Sequence, residues 1–458
     1  MNHASDQSIL SFNRAYFIGI GGIGMSALAR YFKRQGWEVS GYDKTPSALT
    51  DALQGESIDV HFSDLGIDIQ PPFTSKKDTL VVYTPAIKNL GELSYFINEG
   101  FQVKKRSEVL GMLTRSSLGL GVAGTHGKTT TSALLAHILD LSELKCSAFL
   151  GGIASNFDSN LVLSTTSKYT VVEADEFDRS FLALSPFASI ITSVDPDHLD
   201  IYGDVDYFKQ GFQSYAELIH SDGFLVMKEG LSLHSKARTI SYALESESAD
   251  VSAENIRFEQ GYFVFDVRIK EEMWLAVQLG IPGIHNAENA VACVAMCLEL
   301  GLKEPLIREA LKTFKGVKRR FEYHIRKENL VYIDDYAHHP TELHSFLSSV
   351  RLMYPGKRMI GAFQPHLFSR TRDFFEGFAH ELSVLDELVL LPIYPARELP
   401  IEGVTSDHLL AATKAPKKQV LAAQEALQYL SLQRDCVILT IGAGDIDRIV
   451  EPLTKALS

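Results

Sequence analysis

Residues 118–132 read LGLGVAGTHGKTTTS, a short apolar run that ends in a glycine loop and passes into the helix-forming stretch TTTSALLAHILDLSEL. A strand that ends in glycines and opens a helix makes a phosphate site: loop N–H groups nest the anion and the helix N-terminus favours negative charge. The amides of Gly124, Thr125, His126 and Gly127 would line such a nest. Lys128 would reach the β and γ oxygens of a nucleoside triphosphate, and Thr129 or Thr130 could bind Mg2+. A strict Walker A pattern asks for glycine where Val122 stands, so the loop is P-loop-like only.

Two β-rich runs follow, YTVVEAD and ASIITSVD, each ending in acids. In an open parallel sheet, ligands bind beyond the carboxyl ends of the strands, so Glu173, Asp175, Glu176, Asp195, Asp197, His198 and Asp200 should converge on one crevice. Magnesium beside a transferring phosphate takes hard oxygen ligands, few of them from protein. Glu173 stands where the second acidic element of a P-loop site belongs, and His198 could complete a second metal site or orient the nucleophile. Asp175, Glu176 and Asp200 read equally well as solvated loop charges.

Upstream, AYFIGI runs into GIGGIGMS, a helical pattern closes at Gly36, and WEVSGYD supplies a second strand. Gly19, Gly21, Gly22 and Gly24 open that helix, and Asp43 ends the second strand 19 residues after Gly24. This is a strand–loop–helix–strand unit for a diphosphate; alone it suggests NAD or FAD, and it leaves the base open. TLVVYTPAI adds a strand, and a domain boundary falls near Ser116. Residues 237–279 alternate like antiparallel hairpins and predict a small sheet inserted in the middle domain. The helix expected over 286–300 stops at Gly301, and the basic stretch KGVKRRFE marks a second boundary near Lys315. The strands LVYIDDYA, RMIGAFQ, ELVLLPIY and CVILTIGAG then form a third block. The expectation is an α/β chain of three domains, 1–116, 117–314 and 315–458, as 458 residues allow at roughly 150 per domain.

Several residues admit two readings. Asn286 and Asn289 could present paired donor and acceptor to adenine, or one could cap the helix. Arg319 and Arg320 could clamp phosphate or simply charge a linker. DDYAHHP places Asp334, Asp335, Tyr336, His338 and His339 at a strand end, where a histidine pair alone argues weakly for zinc. FQPHLFSRTRD adds His366, Arg370 and Arg372, and Arg370 could hold a carboxylate bidentately or lie on the surface.

Composition narrows the function. A formal charge of -13 argues against a nucleic-acid or anionic-membrane binder. No apolar run reaches the ~18 residues of a membrane span, and MNHASDQSIL lacks a secretory pattern, so the expected location is the cytoplasm. Cys146, Cys293, Cys297 and Cys436 lack metal spacing and read as reduced core thiols.

Taken in order, GIGGIGMS, GTHGKTTTS, EADEFDRSFL, DPDHLDIYGD, HNAEN, RRFE, DDYAHHPTE and FQPHLFSRTRD resemble the Mur ligases of peptidoglycan synthesis, across nearly the whole chain. The resemblance implies a Rossmann-like N-terminal domain for a UDP-sugar, a central P-loop-like ATPase and a C-terminal α/β domain binding nucleotide and amino acid. It implies ATP and Mg2+ as cofactors, with UDP-N-acetylmuramate and L-alanine as partners in a monomer or homodimer. ATP would phosphorylate the lactyl carboxylate, and the alanine amine would attack the acyl phosphate. Gly19, Gly21, Gly22, Gly24 and Asp43 would hold the UDP-sugar. Lys128 would stabilise the γ-phosphate; Thr129 or Thr130 with Glu173 would hold one magnesium, and His198 would help hold a second. Asn286 and Asn289 would face adenine, Arg320 a phosphate and Asp335 the nucleotide, while Tyr336, His366 and Arg370 would form the amino-acid pocket. Sister ligases that add glutamate or a diamino acid carry a lysine where Phe212 stands, which favours the alanine-adding branch. Some alanine-adding relatives have arginine where this chain has Leu367, which shifts the carboxylate clamp toward Arg370. The rivals are a ligase that recycles a preformed tripeptide, a dehydrogenase that would leave GKTTT unexplained, and a P-loop motor indifferent to UDP-sugar.

Overall fold

The computed structural model describes residues 11–87, 89–196, 204–396 and 398–458. Two compact units divide the chain. One runs to Ser252 and includes Val267–Met273 and Asn289–Leu311; the other comprises Ala253–Asp266, Trp274–Glu288 and Lys312–Ser458.

The first unit begins with β1 (Arg14–Ile18), β2 (Glu38–Tyr42), β3 (Asp59–His61), β4 (Thr79–Tyr83) and β5 (Gln102–Lys105), a parallel sheet in the order β3-β2-β1-β4-β5. The order reverses at β1, and the glycine loop leaves β1 at that switch, where an open sheet forms its crevice. The helix Ile23–Arg34 carries Met25, Ala27, Leu28, Ala29 and Phe32 on its buried side, an apolar stripe of helical period.

The same unit continues with β6 (Leu118–Ala123), β7 (Ser147–Ala154), β8 (Ser159–Val162), β9 (Tyr169–Glu173), β10 (Ala188–Ile191), β11 (Phe224–Lys228) and β12 (Arg238–Leu244), ordered β12-β11-β10-β6-β9-β7-β8. All pair parallel except β7 with β8. Val171, Val172, Ile190 and Ile191 are fully buried, as expected of strands covered on both faces. β6 lies between β9 and β10, so the glycine loop that follows it emerges beside the ends of both acid-bearing strands. The antiparallel region starts later than the sequence pattern predicts: β12 pairs parallel with β11 and buries Ile240, Tyr242 and Ala243. Only β13 (Val251–Glu259), β14 (Tyr262–Ile269) and β15 (Glu272–Leu279) are joined by two-residue turns. In the first of these turns Gln260 and Gly261 both take left-handed φ, 50° and 89°, the geometry that matches hairpin twist.

In the second unit β16 (Glu322–Arg326), β17 (Leu330–Asp335), β18 (Arg358–Phe363), β19 (Glu387–Leu390), β20 (Lys417–Val420) and β21 (Cys436–Ile441) are ordered β16-β17-β21-β18-β19-β20. Only β16 runs antiparallel, against β17. β17 and β21 are buried along their whole length, which carries Asp334 and Asp335 into the interior at the strand end. All four cysteines are free and buried. Among the described residues no helix is long and apolar enough to cross a membrane.

Candidate active site

The glycine loop between β6 and the helix Lys128–Leu141 is held from the end of β10. Thr125 Oγ1 donates to Asp195 O at 2.7 Å, and the His126 N–H donates to Ser193 Oγ at 3.0 Å. Gly127 takes φ 78° at the helix N-cap, and a Cβ there would lie 2.6 Å from Asn289 Oδ1. Asn289 therefore packs against the phosphate loop, at the first turn that also buries Thr129 and Thr130.

Lys128 folds back onto its own loop. Its Nζ donates to Gly124 O at 2.7 Å and to Glu176 Oε1 at 2.9 Å, and lies 2.7 Å from Glu176 Oε2. Burial pulls the ammonium down, but the Glu176, Asp175 and Glu173 carboxylates outweigh it and hold Lys128 above the usual lysine value. Burial pushes Glu176 up to about 7 against the pull of Lys128. Glu176 is 2% exposed, so it is a fixed partner of the lysine and not a solvated loop charge. Glu173, the last residue of β9, accepts from the Gly151 N–H at 3.1 Å. Asp175 lies 3.5 Å from Arg106. His198, Asp197 and Asp200 lie outside the described residues.

At the first glycine loop, the Gly21 N–H donates to Asp43 Oδ2 at 2.8 Å, so the acid that directly follows β2 closes the loop. A Cβ on Gly24 would fall 2.8 Å from an Arg106 guanidinium nitrogen. Arg106 thus stands beside the first loop while pairing with Asp175 after β9. It also lines a small cavity with Glu173, Ser180 and Phe181. Sequence reasoning assigns Arg106 no role because KKRSEVL has no motif; only the fold brings it here. The helix after this loop is tied down by Asn160, which donates to Ile23 O at 2.6 Å and accepts from Arg30 at 2.6 Å. Phe212, the position of the sister ligases' lysine, is fully buried in ring contact with Phe181 and Phe208.

In the second unit the two arginines of RRFE separate. Arg319 is structural: Nε donates to Asp334 Oδ2 at 3.1 Å and a terminal nitrogen to Gly442 O at 2.7 Å. Glu322, His324 and Asp334 offer ligand atoms within 4.8 Å of one another. Arg319 already supplies the positive charge there, its backbone N–H donating to Glu322 at 2.7 Å. Arg320 lies 4.8 Å from the Tyr336 ring centre and 4.0 Å from Glu342. Asp335 accepts from the N–H groups of Phe321 at 2.7 Å and Ala337 at 2.8 Å. Burial pushes its carboxyl up to about 7, with Arg320 and those amides opposing. Asn286 lies inside the helix Ile284–Glu299 and donates to Pro282 O at 2.6 Å, so it does not cap that helix.

Tyr336, His338, His366 and Arg370 lie close together in this unit. His338 sits 5.3 Å from the Tyr336 ring and 6.2 Å from the His366 ring, and His366 stacks on Tyr394 at 5.6 Å. Arg370 is 6% exposed, which makes it a buried cation and not a surface arginine. The loop that presents it turns at Leu367, φ 69°, whose N–H donates to Tyr394 O at 2.9 Å. Glu342 organises the opposite side by accepting from the His338 N–H at 2.9 Å. Burial pulls His338 and His285 each down to about 4, with Glu342 opposing and Arg320 reinforcing in both. Both imidazoles are neutral at pH 7.

The arrangement suits a phosphoryl donor at one loop, a diphosphate at another and a small carboxylate-bearing amine near Arg370. The "Mur ligase family, catalytic domain" matches residues 14–117, the "Mur ligase middle domain" residues 122–297, and the "Mur ligase, glutamate ligase domain" residues 319–444. A UDP-N-acetylmuramate–L-alanine ligase of Parabacteroides distasonis is 49% identical over 96% of this chain and 96% of its own length. One from Porphyromonas gingivalis is 49% identical over 97% of this chain and 99% of its own. The crystal structure of the UDP-N-acetylmuramate–alanine ligase of Thermotoga maritima superposes with a TM-score of 0.83 at 26% identity, covering 96% of this chain and 98% of that one. With its Rossmann-like N-terminal, central ATPase and C-terminal domains, the chain belongs to the Mur ligase family.

Proposed function

We propose that this chain joins L-alanine to the lactyl carboxylate of UDP-N-acetylmuramate at the expense of ATP, through an acyl phosphate, in cytoplasmic peptidoglycan precursor synthesis. The observation that carries it is the 49% identity to UDP-N-acetylmuramate–L-alanine ligases over nearly the full length of both chains, in a chain that carries a lysine-bearing phosphate loop in one unit and a buried arginine in the other. A carboxylate is a poor electrophile until one oxygen becomes a leaving group, and phosphorylation supplies that.

The chain's own groups support each step. Lys128 sits on carbonyls that a γ-phosphate would replace, while Glu176 keeps the ammonium charged in a buried place. The nest from Gly124 to Gly127 donates N–H groups to the phosphates, and Asn289 and Asn286 bind adenine. Thr129 or Thr130 and Glu173 offer the hard oxygens that Mg2+ requires, and His198 is assigned to a second ion from the sequence pattern. Magnesium, when bound, neutralises charge on the transferring phosphoryl group. Arg320 and Asp335 serve the nucleotide, and Gly19, Gly21, Gly22, Gly24 and Asp43 the UDP-sugar. Tyr336, His366 and Arg370 receive the amino acid, Arg370 by its carboxylate.

The test is phosphate release from ATP with UDP-N-acetylmuramate, comparing L-alanine, an L-alanyl-D-glutamyl-diaminopimelate tripeptide and no amine, with product masses recorded. An alanyl adduct only with L-alanine is expected. An adduct only with the tripeptide would move the chain to the recycling reaction, and release indifferent to all three would end the ligase reading.

A further inference from the structure

The helix Ile23–Arg34, which follows the first glycine loop, begins without the groups that usually close a helix start. Gly22 stands at its N-cap, no side chain caps it, and its first turn holds no acid. The first N–H groups of a helix have no partner inside it, and that end carries partial positive charge. Asp43 takes the N–H of Gly21, which precedes the cap. Against this positive end the fold sets a further cation. A Cβ on Gly24 would lie 2.8 Å from an Arg106 guanidinium nitrogen, 3.1 Å from Cδ and 3.3 Å from Cζ, so the arginine packs on the first turn in the space a side chain would fill. Among the described residues Arg106 makes one ion pair, to Asp175 at 3.5 Å, with the two side chains 24% and 38% exposed. A charged hydrogen bond is about 2.7–2.9 Å long, so this contact leaves the donors of the guanidinium fork available. A cation and a helix N-terminus repel each other unless an anion lies between them, and such an anion gains from both.

We infer, resting on the ligase reading above, that Arg106 binds the diphosphate of the UDP-sugar, sharing it with the first-turn N–H groups of the helix Ile23–Arg34. Guanidinium presents parallel N–H donors that match two phosphate oxygens, and both sets of donors meet at Gly24. Gly24 then has a role beyond the tight turn, since any side chain there would push the arginine off the loop. The long contact to Asp175 keeps the guanidinium beside the loop without using up its donors. The lactyl carboxylate, the other anion of the substrate, has to meet the phosphoryl group at Lys128, which is bonded to Gly124 and Glu176; Arg106 is placed against Gly24 instead.

The experiment titrates the full chain with UDP and with UDP-N-acetylmuramate by calorimetry, comparing wild type, Arg106→Ala, Arg106→Lys and Asp175→Asn. UDP carries the diphosphate and lacks the lactyl carboxylate. Arg106→Ala should weaken both ligands alike, by about 10- to 10²-fold, and Arg106→Lys by less, since it keeps the charge and loses the fork. In turnover, Arg106→Ala should raise the UDP-N-acetylmuramate KM by the same factor, with kcat and the ATP KM within about threefold. Asp175→Asn should leave UDP affinity within about threefold, as a partly exposed ion pair is worth little. The ligand-free thermal midpoint of Arg106→Ala should stay within a few degrees of wild type for the same reason. Unchanged UDP affinity in Arg106→Ala would overturn the proposal, and so would a loss confined to UDP-N-acetylmuramate, which would move the arginine to the lactyl carboxylate. An equal loss in Asp175→Asn, or a large fall of the ligand-free midpoint together with UDP affinity, would make Arg106 a brace of the fold and overturn it as well. A wild-type chain that binds neither ligand would end the UDP-sugar reading and this inference with it.

Discussion

Replacing Gly127 by alanine tests whether the phosphate loop and Asn289 are one mechanical unit. Two separate costs are visible. The residue holds φ 78°, a left-handed conformation that costs an L-residue about 1–2 kcal/mol. The added Cβ would also lie 2.6 Å from Asn289 Oδ1, far inside the ~3.5 Å of an ordinary contact, and overpacking of this kind costs about 1–3 kcal/mol. Together they predict a loss of about 2–5 kcal/mol for Gly127→Ala. In an Asn289→Ala background the second cost disappears and only about 1–2 kcal/mol remains. At roughly 2–4 °C per kcal/mol for a domain of this size, the thermal midpoint should fall by roughly 4–20 °C in the first case and by roughly 2–8 °C in the second. Differential scanning fluorimetry on the four members of the cycle reads the coupling directly. Equal falls in both backgrounds would refute the contact and leave backbone strain as the whole effect.

Lys128→Ala should cut ATP-dependent phosphate release by about 10³-fold or more while UDP-sugar binding, measured by calorimetry, stays intact, because the two phosphate loops follow different strands; loss of both would refute that separation. Arg370→Ala should raise the alanine KM by roughly 10- to 10²-fold, since a charged hydrogen bond in a buried pocket is worth about 1.5–3 kcal/mol, with the ATP KM little changed; an unchanged alanine KM would remove Arg370 from the pocket. His285 and His338 stay neutral in the fold, with values near 4 against 6.5 in the free side chain. The unfolded chain therefore takes up protons first as pH falls, and stability is full above about pH 6.5 and lost toward pH 4. At about 1.4 kcal/mol per unit, each histidine removes roughly 3 kcal/mol across that window. His285→Gln should flatten the fall of the thermal midpoint between pH 6.5 and 4.5, and parallel slopes for variant and wild type would contradict this.

Much of the site was legible because its chemistry depends on local spacing. A glycine loop between a strand and a helix is a contiguous pattern, so Gly19 to Gly24 and Gly124 to Thr130 are legible from the sequence alone. The acids at the ends of β9 and β10 followed from strand polarity. Side-chain partners across the fold were not legible. Glu176 read equally well as solvent-facing until burial tied it to Lys128. Arg319 and Arg320 are adjacent and chemically identical, and only the carbonyl of Gly442 and the carboxylate of Asp334 decide which one is structural. The parallel pairing of β12 also defied its alternating pattern, because alternation reports which side chains are buried and not the direction of the neighbouring strand.

What the sequence determined alone is the order of strands and phosphate loops, since periodicity, glycine and proton-bearing side chains act over a few residues. What the tertiary structure decided is which charges are paired. Those pairings depend on Arg106 reaching Asp175 and on Glu342 reaching His338, and such contacts are set by packing and desolvation, which no local pattern records.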